Sequence, residues 1–329
     1  MKVSVLMAFY NQQSFAKTVL ESALNQDFDD YEVIAIDDCS SDGTYKVLLD
    51  TINARKGYKC KTIKCLRNDC NLGIIGTFNR LVAESSGELL VINEGDDISH
   101  SNRLKRLLYY WNIPETIERN VLASMSACDI MDAKMRVVRA KSVRTGYRIE
   151  GGFEFWAAGL QHHGAVAAYS RKLWDKFGPM DTGGRYADLI MFFRAAIFGS
   201  ILKIDESLVN YRCEGGMSTS YRTSLAKSRL SNEQLGRSFS QMLNDLSKCR
   251  STLSAAQYER VKDWLEDRIR RQNLMCTLMG HSFCEKIKCW RAVKALIEKR
   301  KSNVLLLVFF LPSPFVEIIS WWRGGCGQC

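Results

Sequence analysis

The chain has 329 residues, is 46% hydrophobic, 25% charged and 10% aromatic, and contains only four prolines. That excludes a disordered or low-complexity protein, because such chains lack the apolar surface that offsets the entropy of ordering. The net charge of +10 is unevenly placed: residues 1–220 hold 27 basic and 27 acidic side chains, so the last third carries the whole excess, and a neutral body with a basic tail suggests two regions with different partners.

In chain order, Val3–Ala8 reads as a buried strand. Its apolar run is too short for the core of a secretory signal and meets no small-residue cleavage site. Ser14–Gln26 follows with Phe15, Ala16, Val19, Leu20, Ala23 and Leu24 at helical spacing. Tyr31–Asp38 is a second apolar strand ending in two carboxylates, and Ser40-Ser-Asp-Gly-Thr44 supplies turn and cap chemistry for a helix towards Arg55. Lys61–Leu66 is a weaker strand. Gly73–Ser86 reads as a helix closed by Gly87, and Glu88–Asn93 as a buried strand. Ser101 or Asn102 caps a helix striped by Leu104, Leu107, Leu108 and Trp111.

From Val121 the rhythm changes. Strand-like Val121–Met131, Val137–Ala140 and Ala165–Tyr169 mix with a helix at Ser170–Phe177. The helix Asp188–Phe198 is apolar almost all round and therefore buried. Ile201–Asp205 and Ser207–Tyr211 complete this part, and beyond Ser218 the chain is polar, basic and helix-forming to about Lys301, which places a boundary near 220.

Fully apolar strands alternating with helices imply an α/β fold with a mostly parallel sheet covered by helices. Ligands of such sheets bind beyond the carboxyl ends of the strands, which here carry Tyr10-Asn11, Asp37-Asp38 and Asp96-Asp97. No GxGxxG follows the first strand and no GxxxxGK[ST] occurs, so a glycine cradle for phosphate is missing. Glu94-Gly-Asp-Asp97 offers another route. Carboxylates crowded on a tight turn repel one another until a cation or a proton relieves them, and Mg²⁺ or Mn²⁺ takes a few carboxylates and completes its shell with diphosphate oxygens. Taken singly, this turn and Asp37-Asp38 also fit plain turn and cap chemistry.

Together these segments resemble the nucleotide-sugar-binding half of the family 2 glycosyltransferases. The likeness rests on Val3-Ser-Val-Leu-Met-Ala-Phe-Tyr-Asn11, Val33-Ile-Ala-Ile-Asp-Asp-Cys-Ser-Ser-Asp-Gly-Thr44, Asn71-Leu-Gly73, Asn79, Ala83-Glu-Ser-Ser-Gly-Glu88 and Glu94-Gly-Asp-Asp97. It implies the GT-A fold, Rossmann-like, over residues 1–220, with 1–100 binding the nucleotide sugar, 101–220 on the acceptor side, and 221–329 as a basic helical extension. By the same likeness Tyr10 flanks the base, Asp38 accepts a hydrogen bond from the base edge, Asp96 holds the ribose hydroxyls and Asp97 binds Mn²⁺ or Mg²⁺. Glu94 stands where Asp is usual, and Phe78 where Arg often neutralises diphosphate.

Inverting transfer needs a general base on the acceptor hydroxyl. Asp188 matches the second member of the family's Glu-Asp pair, while Ala187 replaces the first. At a helix N-terminus the dipole is expected to hold the pKa of Asp188 down, and a plain N-cap is the competing reading. Asp181 and Asp175 are the fallback bases. His163, beside His162, either faces the acceptor or packs. Arg212, in Tyr211-Arg-Cys-Glu-Gly-Gly-Met-Ser218, either meets diphosphate charge, as Arg222 also could, or is a surface residue.

Lys286–Lys301 interleaves cations with Ile287, Trp290, Val293, Leu296 and Ile297, and leads into the apolar run 304–311 and Trp321-Trp322. Such a segment fits a membrane interface better than nucleic acid, with packing on the core or a partner as the alternative. Pro312, Pro314 and Glu317 interrupt a full span. Twelve scattered cysteines read as free thiols, and Cys326-Gly-Gln-Cys329 lacks the further ligands zinc needs. The expected protein is a cytoplasmic glycosyltransferase, peripheral on the inner face of the cell membrane. It would move a sugar from a nucleotide-diphosphate donor to a saccharide or lipid-linked saccharide in cell-surface polysaccharide synthesis. The rival readings are a nucleotidyltransferase and a non-catalytic module that binds sugar nucleotide or tethers to membrane.

Overall fold

The computed structural model describes residues 1–54, 57–140, 146–153, 164–212 and 225–280. The first half runs β1 (Val3–Phe9), α1 (Ala16–Leu24), β2 (Tyr31–Asp37), α2 (Thr44–Asn53), β3 (Thr62–Arg67), α3 (Gly73–Glu84) and β4 (Leu89–Glu94). The short β5 (Ile98–Ser99), α4 (Arg103–Trp111) and α5 (Pro114–Glu118) lead to β6 (Val121–Met131), β7 (Val137–Arg139) and β8 (Tyr147–Gly151). A 3₁₀ turn at Gly164–Val166, β9 (Ala167–Ser170), α6 (Arg171–Phe177), α7 (Ala187–Phe198) and β10 (Ser200–Arg212) follow, and α8 (Leu225–Ser247) and α9 (Ala255–Gly280) end the described chain.

Among the described residues all strands join one sheet, ordered β3-β2-β1-β4-β9-β6-β10-β5, with β7 on β6 and β8 on β10. The first four strands pair in parallel, while β9 runs antiparallel to both β4 and β6. Since β9 reverses twice, β6 and β10 point the same way as β4, and their carboxyl ends share one rim. All seven residues of β2 are buried, as a central strand covered on both faces requires. One face packs α1, α2 and α4 through Val19, Leu20, Leu48, Leu104 and Leu107. The other packs α3 and α7, and it also takes Phe239, Met242 and Leu246 of α8 with Val261 and Leu265 of α9.

Three local expectations are corrected. The helix α3 ends at Glu84, and Gly87 serves close packing instead: its N–H donates to Ser4 Oγ at 2.7 Å, and a Cβ there would collide with Ser4. Asn102 stands at the N-cap of α4 without a side-chain cap bond. The two strands expected over 201–211 are one, β10, broken only by register shifts between Lys203 and Val209, where the chain bulges against β6. The boundary near 220 falls outside the described residues, as does 281–329 with the basic-aromatic segment, the prolines and the CxxC. Among the described residues no helix is long and apolar enough to cross a membrane, and the seven described cysteines are unbridged.

Candidate functional site

The carboxyl rim of the sheet gathers the polar strand ends. At the end of β2, Asp37 is fully buried, accepts from Ser40 N–H at 3.1 Å and pairs with Arg67 Nε at 3.2 Å. Asp38 donates its own N–H to Phe9 O, and its carboxylate accepts from Asn68 Nδ2 at 2.7 Å, Leu72 N at 2.8 Å and Gly73 N at 2.9 Å. Those three bonds fold the 68–73 loop against the rim beside half-buried Tyr10. Asp38 is therefore first a scaffold group, with only its Oδ2 accepting a single one of these bonds.

β4 delivers the acidic turn. Asp97 N–H closes on Glu94 O at 3.2 Å, and Gly95 lies so near β1 that a Cβ would stand 2.6 Å from Ala8 O and strike the Gln12 side chain. Only glycine fits there. Ligand oxygens of Glu94, Asp96 and Asp97 lie within 4.8 Å of one another. Asp97 is fully buried, with Oδ1 accepting from Arg212 N at 2.8 Å and Oδ2 left without a hydrogen-bond partner. A buried carboxylate oxygen lacking a donor is costly. A divalent cation would satisfy it, so the three carboxylates fit the ion the sequence asks for.

The electrostatics agree. Removal from water, then the charges of Glu94 and Asp96, pushes the Asp97 carboxyl well above the usual range. Desolvation also raises Asp96, with Arg212 pulling back. Glu94 is exposed at its surface, yet desolvation of its carboxyl within the turn, then the charges of Asp96 and Asp188, raise it to about 8.

Two arginines back this turn. Arg212 is buried, reaches Asp96 Oδ2 at 3.4 Å and lies 4.3 Å over the Phe15 ring. The surface reading of Arg212 is thereby corrected: the end of β10 is pinned under the acidic turn. Arg103, on the apolar-striped helix α4, carries no sequence signal of its own, because its partners are distant in the chain. It is buried and donates to Ile92 O at 2.8 Å, Ala165 O at 3.0 Å and Ser99 Oγ at 2.9 Å. It thus ties β4 to the 3₁₀ turn behind Asp97.

Asp188 arrives from the other side, in the first turn of α7. Gly164 separates it from the acidic turn: a Cβ on Gly164 would lie 2.5 Å from Glu94 Oε1 and 3.9 Å from Asp188 Cβ. The expected depression of its pKa is reversed. Burial outweighs the backbone N–H groups of Leu189 and Asp188 and lifts it to about 6. Of the fallback bases, Asp181 is exposed and caps its own turn through Gly183 N. Asp175 shares a cleft with Met1 and Glu88 at the amino ends of the strands, away from the rim. Phe78 is core, edge-on to Tyr169 at 6.5 Å, and supplies nothing to a diphosphate. His163 and Arg222 lie outside the described residues.

Comparisons with known proteins bear on this rim. The profile described as Glycosyl transferase family 2 matches residues 4–174, a stretch that includes the acidic turn and Gly164. An uncharacterized glycosyltransferase of Nostoc sp. is 25% identical over 224 residues, covering 65% of this chain and 66% of that protein. The Escherichia coli UDP-Glc:alpha-D-GlcNAc-diphosphoundecaprenol beta-1,3-glucosyltransferase WfgD is 30% identical over 103 residues, covering 31% of this chain and 38% of its own. The matched stretches therefore span less than two thirds of these relatives. Among solved structures, S. aureus TarS 1-349 in complex with UDP aligns with a TM-score of 0.59 at 16% identity, covering 98% of this chain and 90% of that one. At that identity the likeness shows the fold: an α/β sheet of GT-A type flanked by helices, with C-terminal helices present.

Proposed function

The chain belongs to glycosyl transferase family 2, and on that premise we propose that it is an inverting, divalent-metal-dependent glycosyltransferase. It moves a sugar from a nucleotide-diphosphate donor to a saccharide or lipid-linked saccharide in cell-surface polysaccharide synthesis, at the cytoplasmic face of the membrane. The observation that carries the reading is the meeting of the acidic turn and Asp188 across Gly164, with a buried Asp97 oxygen awaiting a cation.

Asp97, with Glu94 and Asp96, would hold Mn²⁺ or Mg²⁺. A bound divalent ion supplies Lewis-acid neutralisation of the departing diphosphate. Tyr10 and the Asp38 loop flank the base, and Asp96 faces the ribose. Asp188 takes the proton of the acceptor hydroxyl as its oxygen bonds to the anomeric carbon and the bond from that carbon to diphosphate breaks, the electron pair leaving with the nucleotide. A base with a pKa near 6 is ionised at neutral pH and still basic enough to accept that proton, the compromise general-base catalysis favours. The lipid-linked acceptor is supported by the name of the E. coli relative, which acts on a diphosphoundecaprenol-linked sugar, and by the basic-aromatic tail.

The test screens UDP-, GDP-, dTDP- and CMP-sugars with Mn²⁺ by thermal shift, then follows the best donor by product analysis. Release of nucleoside diphosphate from a UDP-, GDP- or dTDP-sugar, or of CMP from a CMP-sugar, is expected. Formation of nucleoside triphosphate and sugar 1-phosphate on adding pyrophosphate, without that release, would make the protein a nucleotidyltransferase, and donor binding with no release would make it a binding module.

A further inference from the structure

The C-terminal helices differ in composition from the rest of the chain, yet one of them grips the segment that carries Asp188. Residues 181–186 form the approach to α7. Within it, Gly184 N–H bonds Asp181 O at 3.0 Å, and Tyr186 stands at the N-cap with φ 63° and ψ 78°. A bulky residue in the left-handed region is a strained conformation that persists only where its surroundings impose it. Here the imposing group is α8. Ser238 is fully buried, and its hydroxyl accepts from Arg185 N–H at 2.7 Å and donates back to Arg185 O at 2.5 Å. One side chain thus satisfies both main-chain polar groups of the residue before the strained N-cap. The same helix takes Arg185 Nη1 on Ser231 Oγ at 2.5 Å and Asp181 N on Gln241 Oε1 at 3.2 Å. Gly184 leaves the room: a Cβ there would stand 3.0 Å from Ser238 Oγ. Two turns further along α8 from Ser238, Asp245 forms a fully buried ion pair with Arg194 of α7 at 2.7 Å.

We propose that Ser238 is a positioning residue for glycosyl transfer: through Arg185 it fixes the left-handed turn at Tyr186 and so the placement of Asp188 over the acidic turn. The C-terminal helix α8 is then part of the catalytic centre, not an appendage that only addresses a surface. The inference rests on Asp188 being the base, and its test keeps the two apart.

In the full chain, Ser238→Ala removes the hydroxyl and little else, since alanine is the better helix former. Ser240→Ala, two residues along the same helix, is the control; its hydroxyl bonds only within α8, to Gly236 O at 3.0 Å. Hydrogen exchange and hydrolysis of the best of UDP-glucose, UDP-GlcNAc and GDP-mannose are measured on both and on Asp188→Asn. In Ser238→Ala, exchange over 181–190 should rise roughly tenfold while β1–β4 stay protected. Its kcat should fall roughly 10- to 100-fold with the donor KM unchanged, as misplacement of a reacting group predicts, and Ser240→Ala should match the parent in both. Unchanged exchange over 181–190 would overturn the proposal, as would a kcat matching the parent while Asp188→Asn is inactive. If Asp188→Asn keeps full turnover, the base assignment is what has failed; if no donor is hydrolysed, the glycosyltransferase reading is what has failed. In either case exchange alone decides whether α8 holds the turn.

Discussion

At the scale of single residues, the site is governed by carboxylates crowded on one rim, with Asp97 fully out of water, and this sets its pH behaviour. Asp188 works in its ionised form, so turnover should climb as pH rises through about 6 and flatten above it. Asp188→Asn should bind donor and lose roughly 10²- to 10⁴-fold in kcat, whereas loss of donor binding would make the residue structural. Protons and metal compete for Glu94, whose carboxyl is raised to about 8; titration calorimetry should therefore find Mn²⁺ binding weaker at pH 6 than at pH 8.5, and equal affinity would remove Glu94 from the ion. Much at this scale was legible, because Asp96, Asp97 and Asp188 stand where strand and helix ends must present them. The direction of the Asp188 shift was not. It depends on burial under neighbouring segments, which local spacing does not report, and burial outweighs the helix-end N–H groups. Arg103 escaped for a related reason: its charge is spent on main-chain carbonyls of β4 and the 3₁₀ turn, which only the folded chain brings together.

At the scale of elements, local pattern located nearly every strand and helix of the first half, where apolar runs of six or seven residues alternate with turn chemistry. It failed where tertiary contacts decide. The bulge in β10 is a mismatch with β6, and Gly87 answers to Ser4 rather than to its own helix. The pairing of α7 with α8 was equally hidden, since Arg194 and Asp245 are fifty-one residues apart. Both are fully buried, so Asp245→Ala should leave an uncompensated guanidinium and cost about 3–5 kcal/mol, lowering Tm by about 4–7 °C. Replacing both by apolar residues of similar volume, Arg194→Met with Asp245→Leu, should recover most of that loss. A single variant as stable as the parent would show that the pair contributes little.

At the scale of the whole molecule, the uneven charge takes on a different meaning. The neutral body presents an acidic rim that calls for a cation, and part of the basic third, α8 and α9, packs into the same core as α7. The membrane reading rests on the stretch 281–329, outside the described residues. The full chain should bind vesicles containing anionic lipid, a chain ending at Gly280 should not, and equal partition of the two would remove the membrane from the account. The central claim is a cation-dependent transfer at Asp97, tested most directly by nucleoside diphosphate release from the selected donor, with Mn²⁺ and with excess chelator, in the parent and in Asp97→Ala. Turnover in Mn²⁺ that disappears with chelator and in the variant is the predicted result; undiminished release under chelation would contradict it.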